Sequence, residues 1–342
     1  MKKSLLALAV FGAFAGAASA QTNVTIYGVI DAGITRETGA PAGDVWKLAT
    51  GVQSGNRIGF KGSEDLGAGL KANFTLENGF DADTGALRQG GRLFGRQAWV
   101  GLSGNFGAVN FGRQYNPLFV ALDSIDPFGT GLAGHIDTIF NPSNVRTDNA
   151  ITYSAPGNLG GFTFSGMYAL GEQPGDNKRG RTYGLSVGYA NGPINVVLAY
   201  DNNNAIATPT TTNAIKLTML GGTYDFGVAK LHAAYETEKS DAGADFRDWM
   251  IGASAPLGAG NVIATYARKN DRAAAGNAGS KLYALGYTYN LSKRTNFYTA
   301  YGHVNNDAAG TAFVGDASSG GIPATAGGPN TSGFNIGIRH KF

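Results

Sequence analysis

The 342-residue sequence predicts an all-β fold, a transmembrane antiparallel up-and-down β-barrel of 16 strands with a long third external loop folded into the lumen. Three observations carry that expectation. The sequence ends FNIGIRHKF, where Phe334, Ile336, Ile338, His340 and Phe342 share one strand face and Asn335, Gly337, Arg339 and Lys341 share the other. Many segments of about ten residues alternate in polarity in the same way. Short turns and long polar loops take turns along the chain, as in a barrel whose two rims meet different compartments.

The elements follow an export signal. Lys2 and Lys3 precede an apolar run from Leu5 to Ala18 and a small-residue cleavage site, Ala18-Ser19-Ala20, so residues 1–20 read as a secretory signal peptide and residues 21–342 as the barrel domain. The apolar run is shorter than the roughly 20 residues a membrane helix needs, and no later stretch supplies one. Hydrophobic residues make up 43% of the chain and glycine 53 of 342 positions, about twice the usual share of ~7%. That composition suits closely approaching strands and tight turns, and it is poor material for helices. Cysteine is absent, which removes thiol nucleophiles, thiolate metal sites and a disulfide scaffold together. Without Lys2 and Lys3 the 27 basic residues become 25 against 24 acidic ones, so no argument for nucleic acid survives.

Alternation places the strands. Tyr183, Leu185, Val187 and Tyr189 share a face in RTYGLSVGY; Ile194, Val196, Leu198 and Tyr200 do so in PINVVLAYD; Ala229, Leu231, Ala233 and Tyr235 oppose Lys230, His232, Glu236 and Glu238 in VAKLHAAYETEK. A soluble sandwich would alternate likewise, and the connections separate the two. Short ones occur at Asp65-Leu66-Gly67, Gly104-Asn105, Asn191-Gly192, Asp225-Phe226-Gly227 and Leu257-Gly258-Ala259-Gly260. Longer ones fall near residues 35–54, 79–92, 171–180, 202–213, 239–246, 270–280 and 305–332. The count from Val24 to Phe342 is sixteen strands, an even number as closure of such a barrel favours.

One connection is different. From Tyr115 to Asn149 the alternation stops, yet Phe119, Leu122, Ile125, Phe128, Leu132, Ile136, Ile139 and Phe140 make the stretch too apolar for disorder. It is expected to pack inside the barrel.

No chemistry of catalysis emerges. Gly129-Thr130-Gly131-Leu132-Ala133-Gly134 has dinucleotide-fingerprint spacing, but Asp126-Pro127-Phe128 precedes it where a buried strand is required. His135, His232, His303 and His340 are scattered without metal-ligand spacing, and no GxSxG elbow occurs. We expect no enzyme, no cofactor and no metal. The cations carry more. Arg57 and Lys61 lie opposite Ile58 and Phe60, and a cation facing lipid near mid-membrane costs about 2–4 kcal/mol, so both are expected inside. Parity sets Arg96 opposite Trp99, which turns it inward if Trp99 meets lipid, although Val100 and Leu102 share the parity of Arg96.

NVTIYGVIDAG, RIGFKGSEDLGAGLKA, RQAWVGLSGNFGAVNFGRQ and the terminal IRHKF together resemble the general-diffusion trimeric porins of Gram-negative outer membranes, nearest the beta-proteobacterial branch. The resemblance spans the whole mature chain. It implies a homotrimer of sixteen-stranded barrels in the bacterial outer membrane, among lipid and lipopolysaccharide, passing small hydrophilic solutes and ions by passive diffusion. It also implies an eyelet in which wall arginines Arg57, Arg96 and Arg146, with Lys61, face loop acids drawn from Asp123, Asp126 and Asp137, and hence a weak to moderate anion preference. Arg113 in FGRQ sits at the loop root as a clasp to a carboxylate or as part of the permeation path. Phe342 is implied as the aromatic end recognised by the barrel-assembly machinery. Where some relatives carry an inward lysine after YG, this chain has Val29, with Asp31 two residues on, which lowers the positive charge of that wall. The rival readings are a solute-specific channel and an exported β-sheet binding protein or adhesin. The first would line its path with aromatics, and no such run can be placed inward.

Overall fold

A computed structural model describes residues 23–342 except 40, 42, 209, 274, 275 and 316–327; the expected signal peptide over residues 1–20 lies outside the described residues. The strands are β1 (Asn23–Thr38), β2 (Val45–Thr50), β3 (Arg57–Gly67), β4 (Leu70–Gly79), β5 (Gln97–Gly104), β6 (Gly107–Tyr115), β7 (Arg146–Ser154), β8 (Phe162–Ala169) and β9 (Thr182–Asn191). The second half holds β10 (Ile194–Thr208), β11 (Thr211–Asp225), β12 (Lys230–Ser240), β13 (Asp245–Leu257), β14 (Gly260–Asp271), β15 (Ser280–Asn290), β16 (Thr295–Asn306) and β17 (Thr331–Lys341). From β3 onward each pairs antiparallel with the next, and β17 returns to β1 through a register running from Val29↔Lys341 to Thr38↔Ser332.

β1 spans 16 residues and pairs with two segments, β3 along Asn23–Val29 and β2 along Ala32–Glu37. These two are halves of one stave, so the seventeen segments among the described residues form a closed barrel of sixteen. Asp31 causes the break. Its fully buried carboxylate accepts the backbone N–H groups of Gln53 (2.8 Å) and Ser54 (2.7 Å) and the hydroxyl of Tyr298 (2.6 Å), which draws residues 51–56 off the ladder. Asn56 accepts the Asp31 N–H at 2.6 Å and replaces the lost pairing.

Alternation sorts side chains by face. Val24, Ile26, Ile30 and Ile34 of β1, Leu185 and Val187 of β9, Leu231 of β12, and Phe334, Ile336 and Ile338 of β17 are exposed on the outside. A soluble protein rarely leaves such a continuous apolar band in water; a bilayer covers it. The strands continue past this band into polar sequence. Residues 202–208, expected in a loop, stay in β10 because the pairs Asn202↔Lys216 to Ile206↔Thr212 satisfy the backbone whatever the side chains are.

The inner face is divided. On the side of β10 to β16 it is apolar, with Val197, Ala199, Leu217, Met219, Met250, Ala267 and Leu282 buried, and the third loop, residues 116–145, covers it. This loop opens with α1 (Pro117–Ile125), capped by Asn116, whose side chain accepts the Leu118 N–H, with Pro117 supplying the fixed φ of a first turn. Leu118, Ala121, Leu122 and Ile125 recur at helical spacing and share one buried cluster with the wall residues. Both roots of the loop hang on one carboxylate: Asp201 accepts Asn116 Nδ2 at 2.7 Å and Ser143 Oγ at 2.6 Å. Further on, Glu236 accepts the Asn141 N–H (2.7 Å), Asn335 accepts the Ala133 N–H (2.7 Å), and Val52 C=O accepts the Leu132 N–H (2.8 Å). Gly302 lets the loop approach so closely that a Cβ there would lie 1.9 Å from Ala133 O.

Candidate functional site

The opposite side of the lumen is polar, and between it and the loop lies a cavity of ≈ 930 Å³ bordered by Arg57, Arg96, Arg146, Arg339, Tyr115 and Asp123 among others. Each wall cation sits where a strand begins or ends. Arg57 opens β3 just after the break, and its Nε and Nη2 donate to Gly55 O (2.9 Å) and Ser54 Oγ (3.1 Å), so the detached segment aims the guanidinium. Arg146 opens β7 and lies 4.5 Å over the ring of Tyr115, the last residue of β6, while donating to the Tyr115 hydroxyl at 2.7 Å. Arg96 donates from Nη2 to the same hydroxyl at 2.7 Å and from Nε to Glu77 Oε1 at 2.7 Å. One phenol oxygen thus ties two like-charged guanidiniums, and Phe119 stacks on its ring at 5.5 Å. Glu77 also accepts the Tyr27 hydroxyl (2.9 Å), so its charge is spent on holding the array.

The face argument for Arg96 needs correction. Trp99 lies in register with Lys61, Thr75 and Thr25 on the inner face, and Val100 and Leu102 are the exposed outward residues of β5. Arg96 reaches the lumen because it precedes the strand, with its N–H on Glu77 O (3.1 Å), and strand parity does not govern it. Lys61 is not brought to the arginines. It lies four residues along β3 from Arg57, roughly 13 Å away along the strand, over the Tyr27 ring at 5.3 Å, and borders a separate cavity with Trp99.

The three loop acids have different environments. Asp123 is exposed and accepts the Thr130 hydroxyl at 2.6 Å. Asp126 is buried and organises the loop, accepting the N–H groups of Phe128 (3.1 Å), Thr130 (2.8 Å) and Ile136 (3.1 Å); burial pushes its carboxyl up to about 7 against those donors. Asp137 pairs with His135. Arg113, at the loop root, pairs with Asp148 (2.7 Å), which Arg92 also holds (2.8 Å), and it is not among the residues bordering the cavity. Phe342 exchanges backbone hydrogen bonds with Gly28 (3.0 and 3.1 Å), and its ring covers Gly28, where a Cβ would meet it at 2.3 Å.

Arg339 and Tyr115 were absent from the sequence-based site. Arg339 reaches the same cavity from β17, held by Asn296 Oδ1 at 3.1 Å; its inward parity was visible, but the meeting of the chain's end with its beginning was not. Chemically, five guanidiniums border the cavity, of which Arg88 is paired with Asp81 at 2.8 Å, and of the three carboxylates that border it only Asp123 is exposed.

Comparison with known proteins gives one consistent result. Residues 6–309 match the family described as Gram-negative porin. An outer membrane porin protein of Bordetella pertussis is 38% identical, and outer membrane porin protein 32 of Delftia acidovorans 37% identical, each over 100% of both chains. Among solved structures, an anion-selective porin from Comamonas acidovorans aligns with a TM-score of 0.81 at 32% identity, over 94% of this chain and 100% of that one.

Proposed function

Because the chain belongs to the Gram-negative porin family, an outer-membrane channel for passive diffusion and not an enzyme, we propose that its ≈ 930 Å³ cavity is the constriction of a path for small hydrophilic solutes with a preference for anions. The observation that carries this reading is the imbalance of charge. Arg57, Arg96, Arg146 and Arg339 border the cavity, Glu77 is consumed by Arg96, and of the loop acids only Asp123 is exposed. A transverse field from arginines to Asp123 orients water across the passage. Ions and dipolar solutes replace those hydrogen bonds as they cross, whereas an apolar solute displaces the water without replacing them. The test is the reversal potential in a planar bilayer across a salt gradient, where cation selectivity would overturn the proposal.

Three further parts of the reading rest on family membership, and a fourth, the role of Arg113, rests on its ion pair with Asp148. The barrel assembles as a homotrimer, which gel migration with and without boiling in detergent checks as a shift from a high apparent mass to about the chain mass. It sits among outer-membrane lipid and lipopolysaccharide. Phe342, at the closing seam, is the end through which the assembly machinery takes hold of β17. Arg113 acts as a clasp of the loop root through Asp148, outside the path of the solutes.

A further inference from the structure

Toward the short-turn rim, below the arginines, the inner wall of β1 and β3 to β6 encloses the cavity of ≈ 450 Å³ that holds Lys61 and Trp99. Its cation is uncommitted. Among the described residues no carboxylate lies within ion-pair distance of Lys61, whose ammonium sits 5.3 Å over the Tyr27 ring. The Tyr27 hydroxyl is given to Glu77, and Glu77 is itself held by Arg96 at 2.7 Å. The next inward acid along β3, Asp65, is four residues away, roughly 13 Å, and accepts the Gly67 N–H at 2.8 Å inside its own turn.

The ring beside this cation is given room. Trp99 faces Gly112 across β5 and β6, and Gly101, the next inward position of its own strand, carries no side chain either. Asn110 leans into the space over Gly101, where a Cβ would meet its Oδ1 at 2.1 Å. Gln97 Oε1 accepts the indole N–H at 3.1 Å, which uses the one polar group of the indole and leaves a solute the apolar ring. Neutral hydrogen-bonding groups surround it. Asn73 donates to Ser103 Oγ at 2.9 Å, while the side chains of Thr25, Ser63 and Asn110 have no protein partner among the described residues.

We propose that this cavity is a second station on the solute path, a binding site for sugar acids, hexose-sized rings that carry a single carboxylate. One ammonium selects one negative charge, the Trp99 ring receives the apolar C–H face of a pyranose, and the neutral groups hydrogen-bond its hydroxyls. A volume of ≈ 450 Å³ falls among small-molecule sites, which span ~300–1,000 Å³. A bare inorganic anion would use Lys61 and leave the ring and the neutral groups idle; a neutral sugar would leave the ammonium idle. The inference rests on the channel reading, since a solute reaches this side of the arginines through the passage, and it adds a substrate class that the arginines alone do not specify.

The test uses the detergent-solubilised barrel with Trp46 and Trp249 replaced by Phe, so that Trp99 is the one remaining tryptophan of the three. Its fluorescence is titrated with glucuronate, glucose, acetate and glucose 6-phosphate in turn. Glucuronate is expected to give a saturable change at least about tenfold tighter than glucose or acetate, and Lys61→Gln to weaken it by about tenfold or more, the worth of one charge-assisted hydrogen bond. Glucose 6-phosphate, whose second charge finds no other cation bordering the cavity, binds no tighter than glucuronate. Trp99→Leu, which removes the probe, is read in planar bilayers, where the current interruptions caused by glucuronate are expected to shorten severalfold. Equal affinity for glucuronate and acetate, no saturable response of Trp99, or unchanged affinity in Lys61→Gln overturns the site, as does tighter binding of glucose 6-phosphate. Heat-modifiable gel migration checks that each variant is a closed barrel, and the comparison of four solutes on the unaltered cavity decides the proposal even where a variant fails to assemble. The channel reading is judged separately: cation selectivity of the parent barrel in a salt gradient sinks it with the Trp99 response standing, and a silent Trp99 in an anion-selective barrel sinks the sugar-acid site alone.

Discussion

Replacing Arg57, Arg146 and Arg339 with Gln, while keeping Arg96, should convert the channel from anion-preferring to cation-preferring. Arg96 is spared because Glu77 would otherwise be left buried and unpaired, a different perturbation altogether. Of the arginines bordering the cavity, Arg88 is cancelled by Asp81 at 2.8 Å and Arg96 by Glu77 behind it, and Asp123 is the exposed loop acid, so the four arginines Arg57, Arg96, Arg146 and Arg339 against Glu77 and Asp123 leave a balance of plus two. Three Arg→Gln changes bring that balance to minus one, and counting Asp137 as a further negative charge changes both values without changing the reversal of sign. A unit charge ~5 Å from a permeating ion in water contributes about 0.8 kcal/mol, cut to about 0.4 kcal/mol by a Debye length of ~8 Å. Each charge acts with opposite sign on cation and anion, so removing three moves the permeability ratio by roughly 2.4 kcal/mol, between tenfold and a hundredfold. Reversal potentials under a salt gradient read this directly. A potential that stays at the wild-type value, with conductance intact, would show that these arginines do not govern the passage.

Three other outcomes follow from the same contacts. Asp201→Ala should release both roots of the third loop, removing charge-assisted hydrogen bonds that contribute ~1.5–3 kcal/mol each; single-channel records should then show added current noise and loop amides that exchange faster, and unchanged exchange would refute the anchor. In Gly302→Ala a Cβ would sit 1.9 Å from Ala133 O, so the loop must shift and the conductance should change, whereas Gly166→Ala meets only ordinary contacts and serves as the neutral comparison. Deleting Phe342 removes two backbone bonds and the ring over Gly28 at the seam, and the yield of heat-modifiable trimer should fall further than in Phe342→Ala, which keeps the backbone pairing; equal yields of the deletion and wild type would reduce the terminal residue to ordinary packing.

What the sequence disclosed and what it withheld follow from the range of the interactions. The face of each strand is a local property with period two, so the outward rows of β9, β10, β12 and β17 were legible from RTYGLSVGY, PINVVLAYD, VAKLHAAYETEK and FNIGIRHKF alone. Break points were not. The interruption between β2 and β3 is dictated by Asp31, whose partners Gln53, Ser54 and Tyr298 stand 22 to 267 positions away. Trp99 misled because its size suggests a lipid-facing ring, while its cross-strand neighbours on the inner face are Thr75 and Gly112. Arg339 escaped notice for a topological reason: its closeness to Arg57 exists only once the barrel is shut. The separation of Asp123 from Asp126 turned on which carboxylate the loop's own N–H groups would claim, and their three-residue spacing in sequence holds no trace of that.

The apolar inner wall beneath the third loop changes what kind of object this pore is. A pipe with a movable constriction would tolerate losing the constriction and simply conduct more. Here Leu217, Met219, Met250 and Leu282 face α1 and Ile136 from within, so the loop is half of the larger of the two buried apolar clusters among the described residues. Trimming it would leave an oily surface lining a flooded tube. The width of the passage is therefore inherited from the same packing that lets the chain fold, and a lineage that needs a wider pore must rewrite the wall of β10 to β16 together with the loop.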